Sequence, residues 1–591
     1  MKKVFLTILT MVFVCLWGCA GADPVDTRVQ VSVMAAPGCT VEQNSQWVVP
    51  GDDAVFVLNM EAGYALAGTD YSGGYDVAAK DRTLELTLKD VQYPVRIELE
   101  LTRNYATITY LPNGGTGSLV SVEYDLTYHI RPNTANGTDL FTRTGYSLVC
   151  WNTEPDGSGV RVGLGSRVSV DTELTLYAQW APWTNASDFT CVRTQQGTMT
   201  VTSYTGAAET VVIPAYIDGY AVTAISDRAF ISSKVRHVIL PETMAQVEPY
   251  AFLNCTALES VTLYDNIETL SDDVFSGCSS LRTLYINAVE APWGYDYRKE
   301  SVYADKVDLL IEAQGQRKLV FYGGCSTWYN LHGAAASEAF DGAYTIINMG
   351  LNGTVSSAAQ MQIMGSFLEE GDVLLHTLEL TSEHQLMSVT RMGENDDKLW
   401  CGLEYNYDLV ALLDLRTIDG VFDSLTHYLG MKKSQTTYRQ CYTDGNGERY
   451  TDQYGCIPIY RERTNQKLTD MVRLDQSYVN RKGMNTLESY YDAYRDAGVT
   501  VYVSYACVNM DEVPEEQRGN VEIMDSVVRD AVGAMDSAVL ISGLSDYLFE
   551  YNDFYDTNYH LISEKATENT QSWIRDLKRQ MVSDGIWNET E

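Results

Sequence analysis

From about Gly197 to Asn287 the chain repeats itself. Ala229-Phe230, Ala251-Phe252-Leu253-Asn254-Cys255 and Val274-Phe275-Ser276-Gly277-Cys278 mark successive units, and one offset relates Phe252 to Phe275, Cys255 to Cys278 and Leu258 to Leu281. A fixed period of about two dozen residues constrains the fold strongly. A unit that short cannot bury its own apolar face and must stack on its neighbours as a solenoid. Val261-Thr262-Leu263 and Leu284-Tyr285-Ile286 fall at the same point of two units and read as short parallel strands. Cys255 and Cys278 then form a ladder inside the solenoid, where a thiol acts as a small apolar group rather than a metal ligand.

The repeat fills a small part of 591 residues, so the remainder divides into further domains. A formal charge of −37 argues against bare nucleic acid or an anionic membrane surface as partner. Like charges repel over a Debye length of roughly 8–10 Å. Ten of the 12 cysteines lie beyond residue 22 and are too sparse for a disulfide scaffold, and no C-x-x-C pair or EF-hand-like loop points to a metal. No cofactor is implied. Cys441 and Cys456 flank the turn-rich Thr443-Asp444-Gly445-Asn446-Gly447 and are a candidate pair for closing a hairpin in an oxidising compartment.

Lys2 and Lys3 followed by an apolar run from Val4 to Trp17 read as a signal peptide over 1–22. Leu16-Trp17-Gly18-Cys19 resembles a lipobox, with lipid attachment at Cys19, while Ala20-Gly21-Ala22 suits ordinary cleavage. The chain is expected at the cell surface, lipid-anchored or released, with the anchor as its contact with the membrane.

Residues 23–105 alternate apolar and polar positions, as in Ala54-Val55-Phe56-Val57-Leu58, and predict a β-sandwich-like module. The pattern resembles the accessory β-repeats of bacterial surface proteins. Over 106–182, Pro112-Asn113-Gly114-Gly115, Arg143-Thr144-Gly145-Tyr146, Trp151-Asn152 and Leu174-Thr175-Leu176-Tyr177-Ala178-Gln179-Trp180 resemble the internalin-type B-repeat, a small β-grasp-like spacer or weak binding module. The solenoid, 183–290, resembles the BspA-type leucine-rich repeat. A run this short offers a small concave face, either for a protein or glycan partner or as a rigid spacer.

Beyond Pro292-Trp293-Gly294 buried strands alternate with helices. Strands are expected at 318–322, 344–349, 372–378, 500–507 and 538–542, and helices at 307–313, 334–340, 361–368, 487–497 and 522–534. Such alternation predicts a three-layer α/β domain over 300–591 with a parallel sheet and its site at the carboxyl ends of the strands. A long insertion at about 380–482 reads as a lid or substrate wall.

Gly323-Gly324-Cys325-Ser326, Asn348-Met349-Gly350-Leu351-Asn352-Gly353, Glu379 and Asp556-Thr557-Asn558-Tyr559-His560 resemble the blocks of the SGNH, or GDSL-type, hydrolases, a flavodoxin-like three-layer fold. The resemblance implies Cys325 as nucleophile in place of the usual Ser, His560 as base and Asp556 as its orienting carboxylate. Oxyanion N–H groups would come from Cys325 and Gly353, with Asn352 beside them. Three departures stand against the family pattern: Cys for Ser, no Gly-x-Asn-Asp after the third strand, and one extra residue between Asp556 and His560. Ser326 lies one step late. Glu379 at a strand end and Trp328 are candidate substrate contacts, with Trp400 and Tyr405 as further sugar-stacking candidates; His332 and His376 read as structural.

Two functions remain open. One is an O-acyl esterase or acyltransferase acting on a cell-surface or environmental glycan through Cys325, His560 and Asp556. The other is a non-catalytic adhesin that binds a glycan or a host or bacterial surface protein, its α/β domain a degenerate site.

Overall fold

The computed structural model describes residues 28–36, 39–60, 64–80, 83–103, 106–123, 127–129, 134–135, 138–169, 173–289, 301–351, 356–379, 397–404, 406–418, 420–434, 451–457, 460–463, 467–469, 472–479 and 481–588. The signal segment with Cys19, and Asn352, Gly353, Tyr405 and Cys441, fall outside them. The chain divides into two compact units, 1–107 with two short later stretches, and the remainder.

In the first unit two four-stranded sheets share one core. One runs Ser45–Val48, Val29–Met34, Val95–Arg103, Tyr64–Thr69; the other Cys39–Val41, Ala54–Met60, Thr83–Leu88, Tyr75–Lys80. Ala54, Phe56 and Leu58 point inward beside Val31, Leu86 and Ile97, while Val55 between them is exposed, as a two-residue side-chain period requires.

The second unit begins with a five-stranded sheet around Trp151, whose ring meets Tyr110 and Phe141 edge-on, each at 5.0 Å between centroids. The described residues of 106–182 form strands and loops without a helix.

The solenoid follows. Thr210–Val212, His237–Ile239, Ser260–Tyr264 and Thr283–Asn287 pair in parallel, one strand per unit. Behind them Tyr204, Phe230, Phe252 and Phe275 stack at 5.1, 4.7 and 5.4 Å. Cys255 donates its S–H to the Phe230 carbonyl at 2.9 Å and Cys278 to that of Phe252 at 3.1 Å. Ser232, Asn254 and Gly277 recur at one left-handed position, and at Gly277 a side chain would also strike Asn254.

The outward face of this sheet is covered at its last two strands. Leu164 N–H donates to Asn287 Oδ1 at 3.1 Å, Asn287 Nδ2 to the Val149 carbonyl at 2.9 Å, and the Arg161 guanidinium sits 4.2 Å above the Tyr285 ring. The module at 106–182 therefore rests on the last two strands of the face expected for a partner, while Thr210 on the first strand stays exposed.

In the α/β part the strands are β1 (Lys318–Gly323), β2 (Thr345–Asn348), β3 (Val373–Leu378), β4 (Thr500–Tyr505) and β5 (Val539–Leu540). All pairs are parallel, in the order β2-β1-β3-β4-β5. The helices are α1 (Val302–Glu312), α2 (Cys325–Asn330), α3 (Gly333–Ala339), α4 (Ser357–Gly365), α5 (Asp397–Leu403), α6 (Val421–Ser434), α7 (Arg481–Asp496), α8 (Val521–Gly533) and α9 (Ser563–Ser583). The short α2 and the long α9 escape the periodicity reading.

The insertion at about 380–482 serves two places over its described residues. α6 closes the solenoid, Phe422 meeting Phe275 at 4.6 Å and Asp272 N–H donating to Asp423 at 3.0 Å, whereas the described residues of 451–463 lie by the carboxyl end of β2, where Asn348 N–H donates to the Tyr454 carbonyl at 2.8 Å. Lys432 on the same helix is buried between Asp265 of the solenoid, 3.2 Å away, and Glu404 at 2.9 Å.

Candidate functional site

β1 runs into two glycines because nothing larger fits. A Cβ on Gly323 would collide with the Thr327 and Thr377 side chains, and one on Gly324 with the Glu379 carboxylate. The chain thus turns sharply from β1 into α2, whose first residue is the half-buried Cys325. Free N–H groups at a helix start favour negative charge there.

Ser326 points the other way. It is wholly buried, its N–H donates to Glu379 Oε1 at 2.8 Å, and its hydroxyl faces the buried Cys507 at the end of β4. Burial, then the Glu379 charge, pushes the Cys507 thiol up. Ser326 is therefore placed to brace the turn rather than to attack a substrate. Glu379, a candidate substrate contact or loop cap at the end of β3, is held beneath the same turn and is buried.

Trp328 is corrected more plainly. Its ring is fully buried, with Lys306 Nζ 5.7 Å from the ring centroid, so it packs the core and presents no face to a sugar. Trp400 is buried likewise, its indole N–H donating to Ser424 Oγ at 2.9 Å. His376 bonds Tyr491 through Nδ1 at 2.5 Å, and burial lowers it to about 3, leaving it neutral. His332 precedes α3 and donates its backbone N–H to Thr570.

Asp556 and His560 do meet. His560 Nδ1 lies 2.8 Å from Asp556 Oδ1. The loop is closed by Tyr555 N–H donating to the His560 carbonyl at 2.7 Å and by a bridge between Phe554 and Leu561, which absorbs the additional residue. Burial raises the Asp556 carboxyl, but the hydrogen bond and charge of His560 outweigh it and hold it below its usual range. The imidazole lies flat on Tyr329, 3.5 Å between centroids and 5° between planes. Tyr329 is four residues after Cys325, so the two share one face of α2.

Sequence reasoning missed Tyr329, Asn330 and Arg461. Asn330 is buried at the end of α2, and Arg461 is buried with its guanidinium 5.4 Å from the Tyr329 ring centroid. The helical offset from Cys325 would have marked Tyr329; nothing in the sequence marks Arg461. Among the described residues no three His, Cys, Asp or Glu gather as metal ligands, no disulfide forms, and no helix is long and apolar enough to cross a membrane.

Two segments match known families. Residues 216–291 match the BspA type leucine rich repeat region, in six copies, and residues 107–179 the Listeria-Bacteroides repeat domain. Both are typical of cell-surface proteins. No curated protein matches the chain. Among solved structures, a leucine-rich repeat protein of T. pallidum is similar at 28% identity over 18% of this chain and 53% of that one, with a TM-score of 0.17. A leucine-rich repeat protein from Bacteroides ovatus is similar at 27% over 18% and 29%, with a TM-score of 0.16. A leucine rich cell surface protein from Faecalibacterium prausnitzii is similar at 18% over 33% and 44%, TM-score 0.16. The chain spans about half or less of each of these.

Proposed function

We propose that this surface repeat protein carries an SGNH-like domain that cleaves or transfers O-acyl groups on a glycan. The observation that carries the proposal is the Asp556–His560 pair stacked on the helix that begins with Cys325. The sheet order, with the candidate residues beyond the carboxyl ends of β1 and β3, supports a flavodoxin-like arrangement. In this reading His560 takes the Cys325 proton, the sulfur attacks the ester carbonyl, and the same proton passes to the departing sugar oxygen. Water, or an acceptor hydroxyl, then gives a proton to His560 and attacks the thioester carbonyl, and the Cys325 sulfur leaves and takes that proton back. Asp556 holds the imidazole orientation and stabilises its charged form. Gly353 and Asn352 enter by family resemblance as oxyanion contacts, and lipidation at Cys19 as the anchor.

One observation favours the second reading, a binding module without turnover. The Glu379 carboxyl group is buried beside the turn and accepts the Ser326 N–H, so a charge on it opposes a thiolate at Cys325.

Hydrolysis of chromogenic acetyl esters and thioesters by the exported protein separates the two readings. Turnover that is lost in Cys325→Ala and His560→Ala yet kept in Ser326→Ala supports the thiol site; a wild type that binds an acetylated glycan without turnover supports the binding module. The whole protein is required, because α6 of the α/β part completes the solenoid.

A further inference from the structure

α2 is joined to the His560 loop through its last two residues. Asn330 lies wholly buried and bonds the backbone on both sides of His560: its Nδ2 donates to the Tyr559 carbonyl at 2.9 Å, and its Oδ1 accepts the Leu561 N–H at 2.9 Å. The Asn330 carbonyl is held in turn by the Thr570 hydroxyl of α9, also at 2.9 Å. Arg461 makes a second bridge, donating to the carbonyls of Tyr329 and, at 3.3 Å, of Leu561. Tyr329 supplies the ring on which the imidazole rests.

These bonds are costly to lose, because each loss leaves a buried backbone group unsatisfied. They join segments some 229–231 residues apart in sequence. One end of α2 carries Cys325 and the other end grips the peptide units flanking His560. Moving the loop by a fraction of an ångström relative to α2 would change the sulfur–imidazole geometry and the stack on Tyr329 together.

We propose that Asn330 is a positioning residue that sets the register of the Cys325 helix against the His560 imidazole, with Tyr329 and Arg461 completing the clamp. This rests on the acyl-transfer reading of the site only for its consequence in turnover; the register itself has a separate readout. Asn330 touches neither substrate nor sulfur in this role and acts through His560.

The test uses the full protein with histidines labelled at Cε1; only seven histidines are present, so the spectrum is sparse, and His560→Gln identifies the resonance. Stacking on Tyr329 shifts the His560 ring proton upfield. Asn330→Ala is expected to move that resonance towards an unstacked position and to slow alkylation of Cys325 by iodoacetamide at pH 7, by up to about 10²-fold for a displacement near 1 Å. Asn330→Asp keeps the acceptor for Leu561 and loses the donor to Tyr559, giving an intermediate shift; Tyr329→Phe keeps the stack and leaves the resonance in place. A folded Asn330→Ala protein with an unmoved His560 resonance overturns the proposal. Should that variant not fold, Asn330→Asp decides, since an unmoved resonance there overturns it equally. If His560→Gln leaves the alkylation profile of wild type unchanged, the acyl-transfer reading fails, and the resonance shift still decides the register.

Discussion

Glu379 sets the sharpest question about Cys325, since it accepts the Ser326 N–H and lies against Gly324. Glu379→Gln keeps an oxygen acceptor for that N–H and removes the charge. It is expected to raise the rate of Cys325 alkylation at pH 7 several-fold, because alkylation follows the thiolate fraction; rates measured from pH 6 to 9 check this. His376 gives a prediction about stability. Burial lowers its folded-state pKa from 6.5 to about 3, so the unfolded chain binds the extra proton first. Stability is therefore complete above pH 6.5 and falls as the pH drops towards 3. At about 1.4 kcal/mol per pH unit, roughly 2 kcal/mol is lost between pH 7 and pH 5. His376→Gln is expected to flatten that part of the pH dependence in urea denaturation, whatever it does to stability at pH 7.

The solenoid ladder needs a terminal partner, as stacked repeats generally do. Phe422 provides it, and its ring lies against Phe275 as closely as the internal rings lie against each other. Phe422→Ala is expected to cost about 3–5 kcal/mol, the usual range for deleting a buried aromatic. Limited proteolysis should then open the last repeat, near residues 270–287, before the first. The cysteine ladder contributes less: Cys278→Ala removes one weak S–H bond to Phe252 and a small apolar volume. The same packing explains why one helix of an insertion that reads as a lid becomes a cap. Its polar loops drew the functional reading, yet α6 carries buried Val421, Phe422, Leu425, Tyr428 and Leu429, and a helix with that much apolar surface must cover something.

One apolar core runs from Phe189 in the solenoid to Met581 in α9, which makes solenoid and α/β sheet a single cooperative body. Calorimetry is expected to give one transition for that body and to place the effect of Lys432→Ala in it. Removing this ammonium leaves Asp265 and Glu404 buried without their cation, an expected loss of about 3–5 kcal/mol. Much of the architecture was legible in the residues because it is local. A repeat period, an alternation of strands or a Gly-Gly after a buried run is written in neighbouring positions, and so the solenoid, the strand-rich modules and the turn before Cys325 could be read directly. Which faces those elements bury is not local. Trp328 and Trp400 resemble sugar platforms until the packing encloses them, and the last two strands of the concave solenoid face are open until the module at 106–182 rests on them. The pairing of Asp556 with His560 was readable from their spacing, whereas its seat on Tyr329 and the grip of Asn330 depend on contacts between distant segments. Local propensity carries no information about those partners; they arise when desolvation of the core forces every buried polar group to find one.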